Sequence, residues 1–366
     1  MYGKKIIVIV VSIILCITLA ACSSQKTTNE KTQNKEQVKV AEHKHGESEN
    51  KIALKEVKIP GPVDGTELYL RNKYEESEKK FSSNEIVLFL EPYSVPTAEA
   101  FDVPGVSWME EYAKDGYDTW AMDFRGFGKS TWPAEMSKPA TENPPVIKAE
   151  DAVKDLETAV NYIKKTRKVD KISIVGWSWG AVVAMQYANE NSDNIEKLVL
   201  YGAMHGFSLP SMAKLYEAPD KPGVINANMP AYQMINFDKG MHHWHMMLDG
   251  RDLVSDKTME SVRKVFVASD EAAEKNPEMA IRRVNGPLVD LYNIWSNKPF
   301  FDVSKITAPV LVISGEDDFF ADRDLIKKLT GTKTKKEVIV PEATHWMLYE
   351  KTHNTLLEET DKFLKN

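Results

Sequence analysis

Short, continuous apolar runs alternate with stretches of helical periodicity from residue 85 onward, and this rhythm restricts the fold more than any other feature of the chain. The runs are "EIVLFLEP" (Glu85–Pro92), "GYDTWAMDFRG" (Gly116–Gly126), "KISIVGW" (Lys171–Trp177), "KLVLYG" (Lys197–Gly202), "PVLVISG" (Pro309–Gly315) and "KEVIVP" (Lys336–Pro341). Each is too short for a helix and reads as a buried strand. An earlier stretch, "GTELYLRNKYE" (Gly65–Glu75), alternates in polarity like an exposed strand. Between the runs, Val153, Leu156, Val160 and Ile163 repeat at three and four, giving a helix one apolar face. "WGAVVAMQYANE" continues straight from a strand, and "WMLYEKTHNTLLEETDKFLK" reads as a closing amphipathic helix. Strands that alternate with helices predict an α/β fold, with a mostly parallel central sheet covered on both faces. The rhythm fails between about His205 and Phe301, a segment rich in Met and Trp without clear buried strands. That segment is expected to be a helical cap (205–301) inserted into a core made of 51–204 and 302–366.

The first fifty residues follow other rules. Lys4 and Lys5 precede the apolar stretch Ile6–Leu19, which ends at Leu19-Ala20-Ala21-Cys22. A short apolar stretch closed by small residues reads as a secretory signal, and it is shorter than the ~20 residues a spanning helix needs. A cysteine directly after the small residues resembles the lipobox of bacterial lipoproteins. The resemblance implies removal of residues 1–21, lipid on Cys22, and a protein held at the outer face of the cytoplasmic membrane. The competing reading is an uncleaved anchor. Residues 22–50 are almost wholly polar and cannot bury enough surface to order themselves, so they read as a disordered tether. The only cysteines are Cys16 and Cys22, which leaves the folded part without a thiol to pair. With 47 basic against 54 acidic residues the chain offers no basic excess for nucleic acid, which is not expected as a partner.

Within this frame the stretch "GWSWG" (176–180) stands where a strand ends and a helix begins. Small residues two before and two after a serine permit the sharp turn that exposes its hydroxyl at a strand's C-terminal end. A serine hydroxyl is a weak nucleophile and needs a base, which in turn needs an acid to orient it. Both follow in the chain. "EDDFFADRD" comes after the strand that ends at Gly315, and "EATHWMLYE" after the one that ends at Pro341. Both loops emerge on the same sheet edge as Ser178. His345 is the candidate base and Asp318 the candidate acid; Asp317 is adjacent, and only geometry separates the two.

These segments, in this order, resemble the α/β-hydrolase family in its form with a cap, over roughly Val57 to Phe363. The resemblance implies a triad of Ser178, Asp318 and His345, the acid falling three residues after Gly315. It also implies that Asp123, Arg125, Gly126 and Gly128 of "DFRGFGKS" are structural. An oxyanion hole needs two backbone N–H groups aimed at the developing charge. The resemblance supplies Trp179 for one and, from the loop after "IVLFL", Tyr93 for the other. That loop reads Glu91-Pro92 where the family often has His-Gly. Glu91 is then either an anchor for the loop or a mark of substrate preference. No metal or organic cofactor is required.

The expected activity is hydrolysis of a small hydrophobic carboxylic ester, thioester or lactone through an acyl-enzyme. Epoxide hydrolases and haloalkane dehalogenases of this fold carry Asp as nucleophile, which Ser178 excludes by resemblance. A "SWG" elbow is similar to that of proline iminopeptidases, whose oxyanion loop usually reads H-G-G-P-G. "LEPYSVP" does not match, so a peptidase or amidase is a second reading. Acyl transfer to an acceptor other than water uses the same intermediate and stays open. So does a non-catalytic surface-binding module, although such a descendant has no reason to keep all three triad residues. In "HHWH", His242 and His245 are three apart with no evident acidic partner, so a polar and aromatic cap face outweighs a metal site. His205 either lines the pocket or closes its strand, and His353 is expected on the surface of the last helix.

Overall fold

The computed structural model describes residues 51–78 and 80–366. The readings of residues 1–21, Cys22 and 22–50 lie outside the described residues. The chain opens with strands β1 (Ile52–Pro60), β2 (Glu67–Glu75) and β3 (Ile86–Leu90). Helix α1 (Trp108–Lys114), β4 (Asp118–Met122), α2 (Ala149–Arg167), β5 (Ile172–Trp177), α3 (Trp179–Asn191) and β6 (Ile195–Tyr201) follow. Strands β1, β2 and β4 pair antiparallel. From β4 through β3, β5 and β6 to the two last strands every pairing is parallel.

After β6 comes the insertion. It holds α4 (Pro210–Ala213), β7 (Glu217–Ala218), β8 (Lys221–Ile225), β9 (Tyr232–Ile235), α5 (Phe237–Gly240), α6 (His242–Leu248), α7 (Asp256–Ala268), β10 (Ile281–Val284) and α8 (Gly286–Trp295). The helices expected there are joined by two small antiparallel sheets, β7 with β8 and β9 with β10. Sequence reasoning missed these because β7, β8 and β9 are short and bury little, and β10, though buried, breaks its apolar pattern with Arg282 and Arg283. The chain then returns to the sheet with β11 (Val310–Gly315), α9 (Leu325–Lys328), β12 (Lys335–Val340) and α10 (His353–Lys365). The completed sheet has eight strands in the order β1-β2-β4-β3-β5-β6-β11-β12. No helix among the described residues is long and apolar enough to cross a membrane.

Burial on both faces explains the continuous apolar runs. Successive side chains of a strand point to opposite faces, so the central strands divide their residues by parity. Ile86, Leu88, Leu90, Ile172, Ile174, Leu198, Leu200, Val310 and Val312 join Leu156, Val160 and Ile163 of α2 and the apolar side chains of α3. Val87, Phe89, Val175, Trp177, Val199, Tyr201, Leu311 and Ile313 join Trp108 and Tyr112 of α1 and Leu356, Leu357 and Phe363 of α10. Strand β1, not anticipated, is an edge strand on which only Ile59 is buried. Its Lys-Glu-Val-Lys centre hides the alternation.

The other departures lie at the C-terminus. The closing helix begins at His353 rather than at Trp346, because residues 346–349 form a buried plug with a 3₁₀ turn over Met347–Tyr349. His353 is buried, not exposed. Its Nδ1 lies 2.6 Å from the Leu348 carbonyl and its Nε2 3.0 Å from Glu111. The "DFRGFGKS" segment is structural: Asp123 accepts from the Ala98 and Lys129 amides, and Arg125 pairs with buried Asp155 at 2.6 Å. Gly128 has φ +42°, and a Cβ there would overlap the Asp123 carboxylate.

Candidate active site

Ser178 is the single residue between β5 and α3, and its backbone sits at φ 59°, ψ −119°. A non-glycine residue there is strained, and such strain persists only where the surroundings over-determine it. The Ser178 N–H donates to the Tyr201 carbonyl at 2.9 Å. Its own carbonyl accepts from Ala181 and Val182, starting α3. The flanking glycines are needed for space. A Cβ at Gly176 would come within 2.7 Å of the Ala181 Cα, and one at Gly180 would overlap the Leu90 carbonyl oxygen. The second contact brings the helix start against the loop after β3.

The two tryptophans fix the serine to different parts of the molecule. Trp177 stacks on Tyr201 with ring centroids 4.8 Å apart. Trp177 Nε1 and the Tyr201 hydroxyl both donate to the His345 carbonyl, at 3.1 and 2.9 Å. The residue before Ser178, and the one that receives its N–H, therefore hold the backbone of the candidate base. Trp179 stacks on Phe127 at 5.6 Å, and its Nε1 donates to Asp290 of α8 at 3.0 Å. Asp290 also accepts from the Ala149 amide at the start of α2. Burial pushes the Asp290 carboxyl up to about 7.

His345 and Asp318 are both buried and meet at 2.8 Å, Nδ1 to Oδ2. The other Asp318 oxygen accepts from the Phe320 and Ala321 amides at 2.9 and 3.2 Å. A carboxylate accepts only, so Nδ1–H is the donor in this bond. Arg323 braces the acid's loop through the carbonyls of Gly315, Glu316 and Asp318. Asp317 points elsewhere, pairing with Arg251 at 2.6 Å on the surface. Gly202 was visible in the sequence only as a strand end. It has φ +56°, and a Cβ there would come within 2.8 Å of His345 Cε1 and Nδ1 and 3.1 Å of Asp318 Oδ2.

Trp179 and Tyr93, the expected oxyanion donors, lie on the two segments that Gly180 brings together. Among the described residues neither backbone N–H has a protein acceptor. Glu91 is wholly buried and accepts from the Phe124 amide at 3.0 Å. Burial, with Asp123 and then Asp155 nearby, holds its carboxyl well above the usual range. Its hydrogen bond to Phe124 anchors the loop from beneath.

The insertion adds residues that sequence reasoning passed over. His243 is half-buried, with Nε2 3.5 Å from Ser94 Oγ and its ring 5.2 Å from Phe320 and 5.4 Å from Trp346. Burial, and the neighbouring His345 and Arg283, hold its imidazole well below the usual value and therefore neutral. His242 and His245 are exposed. His205 closes the end of β6, with Nε2 2.9 Å from the Phe301 carbonyl. Among the described residues no three His, Cys, Asp or Glu side chains are grouped to hold a metal ion. Spacing could have nominated His243 only together with its two exposed neighbours, since nothing in "HHWH" tells them apart.

The family model for the alpha/beta hydrolase fold matches residues 102–352. The chain belongs to this family. A curated relative, epoxide hydrolase 3 of Xenopus tropicalis, is 23% identical over 260 residues, covering 66% of this chain and 63% of its own length. Among solved structures the chain is similar to an esterase from Exiguobacterium antarcticum, with TM-score 0.55 and 15% identity, over 85% of this chain and 99% of that one. The enol-lactonase from Burkholderia xenovorans LB400 gives TM-score 0.53 and 17% identity, over 85% of this chain and 100% of that one. At such identities these two likenesses establish the fold alone.

Proposed function

We propose that this α/β-hydrolase is a serine hydrolase that cleaves a carboxylic ester or lactone through an acyl-enzyme. The observation that carries the reading is the wiring of the elbow to the base. Trp177, just before Ser178, and Tyr201, whose carbonyl accepts the Ser178 N–H, both donate to the His345 carbonyl, while Asp318 accepts a hydrogen bond from His345 Nδ1–H. In this reading Ser178 Oγ attacks the substrate carbonyl carbon and its proton passes to His345 Nε2. The Trp179 and Tyr93 amides receive the oxyanion. Collapse of the tetrahedral intermediate breaks the bond to the leaving oxygen, which takes the proton from Nε2. Water, deprotonated by the same nitrogen, then attacks the acyl carbon and frees Ser178. Asp318 holds the tautomer and stabilises the imidazolium.

The relative named for epoxide hydrolysis shares the family, but here the elbow residue is a serine, which favours acyl chemistry. The esterase and the enol-lactonase make esters and lactones the first substrates to try. Aromatic side chains close to His345, among them Phe320 at 5.3 Å, suit an apolar acyl or alcohol group. Turnover of p-nitrophenyl esters of graded acyl length by the purified protein, set beside Ser178→Ala, tests the reading. Loss of turnover in the variant is expected, and equal rates would overturn it. A lipid anchor on Cys22 outside the cytoplasmic membrane completes the proposal. Cys22→Ser should move the protein from the membrane fraction to the soluble fraction, and continued membrane retention would contradict it.

A further inference from the structure

Strand β10 carries two consecutive arginines in opposite circumstances. Arg282 is fully matched by Asp270, through Nε to Oδ2 at 2.9 Å and Nη2 to Oδ1 at 2.7 Å. Arg283 is 6% exposed, and among the described residues it forms no ion pair. Its Nε and Nη1 are buried without an acceptor. Its guanidinium lies 4.3 Å from the centre of the Tyr93 ring and also interacts with the Tyr93 hydroxyl, so its compensation comes from one neutral side chain. Arginine cannot shed its proton in a protein. A buried positive charge with unmet donors is strongly unfavourable until an anion arrives.

The charge stands at the proposed site. Tyr93 beneath it supplies one of the two free backbone N–H groups. Gln233 faces Arg283 in the β9–β10 register and donates to the Tyr93 hydroxyl at 2.9 Å. His243, held beside Ser94, lies in the field of both Arg283 and His345. Ring contacts also lead toward the imidazole. Tyr216, in the field of Tyr93 and Arg283, stacks on Trp295; Trp295 stacks on Phe320 at 5.7 Å; and Phe320 meets His345 at 5.3 Å.

We propose that Arg283 binds a carboxylate of the substrate remote from the scissile carbonyl, so that the natural ester or lactone is a monoanion with an apolar stem. This rests on the hydrolase reading above. One cation balances one negative charge. His243 is neutral and supplies no second, so a dianionic phosphate would leave a charge uncompensated in the same enclosure. Guanidinium and carboxylate also match in planar, charge-assisted hydrogen bonding.

The test compares the half-ester mono-p-nitrophenyl glutarate with p-nitrophenyl pentanoate, which lacks only the terminal carboxylate's charge and oxygens. The protein should prefer the half-ester by about tenfold or more in kcat/KM, chiefly through KM, in line with a buried charge-assisted contact. Arg283→Met should collapse that ratio, and Arg283→Lys should restore part of it. A ratio near one, or a preference that survives Arg283→Met, would overturn the proposal. If neither ester is cleaved, the hydrolase reading fails separately, and calorimetric titration with pentanoate, a monoanion with an apolar stem, decides the anion site. Binding lost in Arg283→Met and partly kept in Arg283→Lys sustains it; no binding to the unaltered protein removes it. Thermal melts guard against a folding defect. Removing an unmatched buried charge should leave Tm unchanged or higher, and a large fall would mean that Arg283 holds the fold instead.

Discussion

At the residue scale, the site depends on a few positions where nothing larger fits. Ser178 holds a left-handed conformation that costs about 1–3 kcal/mol and is kept in place by the Tyr201 carbonyl and the start of α3. Gly202 lies against the His345–Asp318 pair, so Gly202→Ala should displace the imidazole. We expect kcat to fall at least about 100-fold, the scale of a misplacement near 1 Å, with the protein still folded by circular dichroism. Unchanged kcat would show that the pair tolerates a shift. The two adjacent acids separate in the same way. In Asp318→Asn the amide oxygen stays on the Phe320 and Ala321 N–H groups, the NH2 group faces Nδ1 and imposes the wrong tautomer, and kcat should fall on the order of 10⁴. Asp317→Asn loses only a surface ion pair with Arg251 and should change kcat less than about twofold. The reverse ranking would mean that the acid is misassigned.

At the element scale, the helix of the insertion that returns to the sheet is tied to the elbow through a buried acid. Asp290 accepts from Trp179 Nε1 and from the Ala149 amide, and burial raises its carboxyl to about 7, against about 3.9 in an unfolded chain. Between those values the folded protein binds the proton more tightly than the unfolded chain. Its contribution to stability is therefore full below about pH 4 and is lost as pH rises through about 7. Asp290→Asn keeps an acceptor and stays neutral. Its Tm should climb relative to the unaltered protein between pH 5 and pH 8; a difference flat across that range would mean Asp290 is already ionised at pH 5. The same scale shows what a sequence conveys. Strands buried on both faces are continuous apolar runs, so β3, β4, β5, β6 and β11 were legible. Edge strand β1 and the four strands of the insertion were not: β1, β7, β8 and β9 bury little, and β10, though buried, is four residues long with two arginines in its middle.

At the scale of the whole molecule, the described residues fall within one compact unit. The insertion is bound to it by Asp290, by Arg251 on Asp317, and by Trp244 Nε1 on Glu350 at 2.9 Å. Urea unfolding of fragment 51–366 should therefore give coincident transitions by tryptophan fluorescence and by far-ultraviolet circular dichroism. A separate early transition would show the insertion melting by itself. The order Ser178, Asp318, His345 could be read from the chain because Ser178 and Asp318 follow strands buried along their whole length, while β12, an edge strand buried only at Val340, is still marked by the apolar run Val338–Val340 before His345. The resemblance put Asp318 ahead of Asp317, but the residues alone did not separate them, and neither the place of Glu91 beneath its loop nor the isolation of Arg283 could be read. Each depends on which side chains meet across long sequence separations, and no local pattern records that.

The central claim is that Ser178 is an activated nucleophile. Intact-mass analysis of fragment 51–366 after treatment with a fluorophosphonate, beside Ser178→Ala, tests it directly. A single adduct on the unaltered chain that is absent from the variant is the predicted result. No adduct on well-folded protein, or an equal adduct on both, would contradict the account.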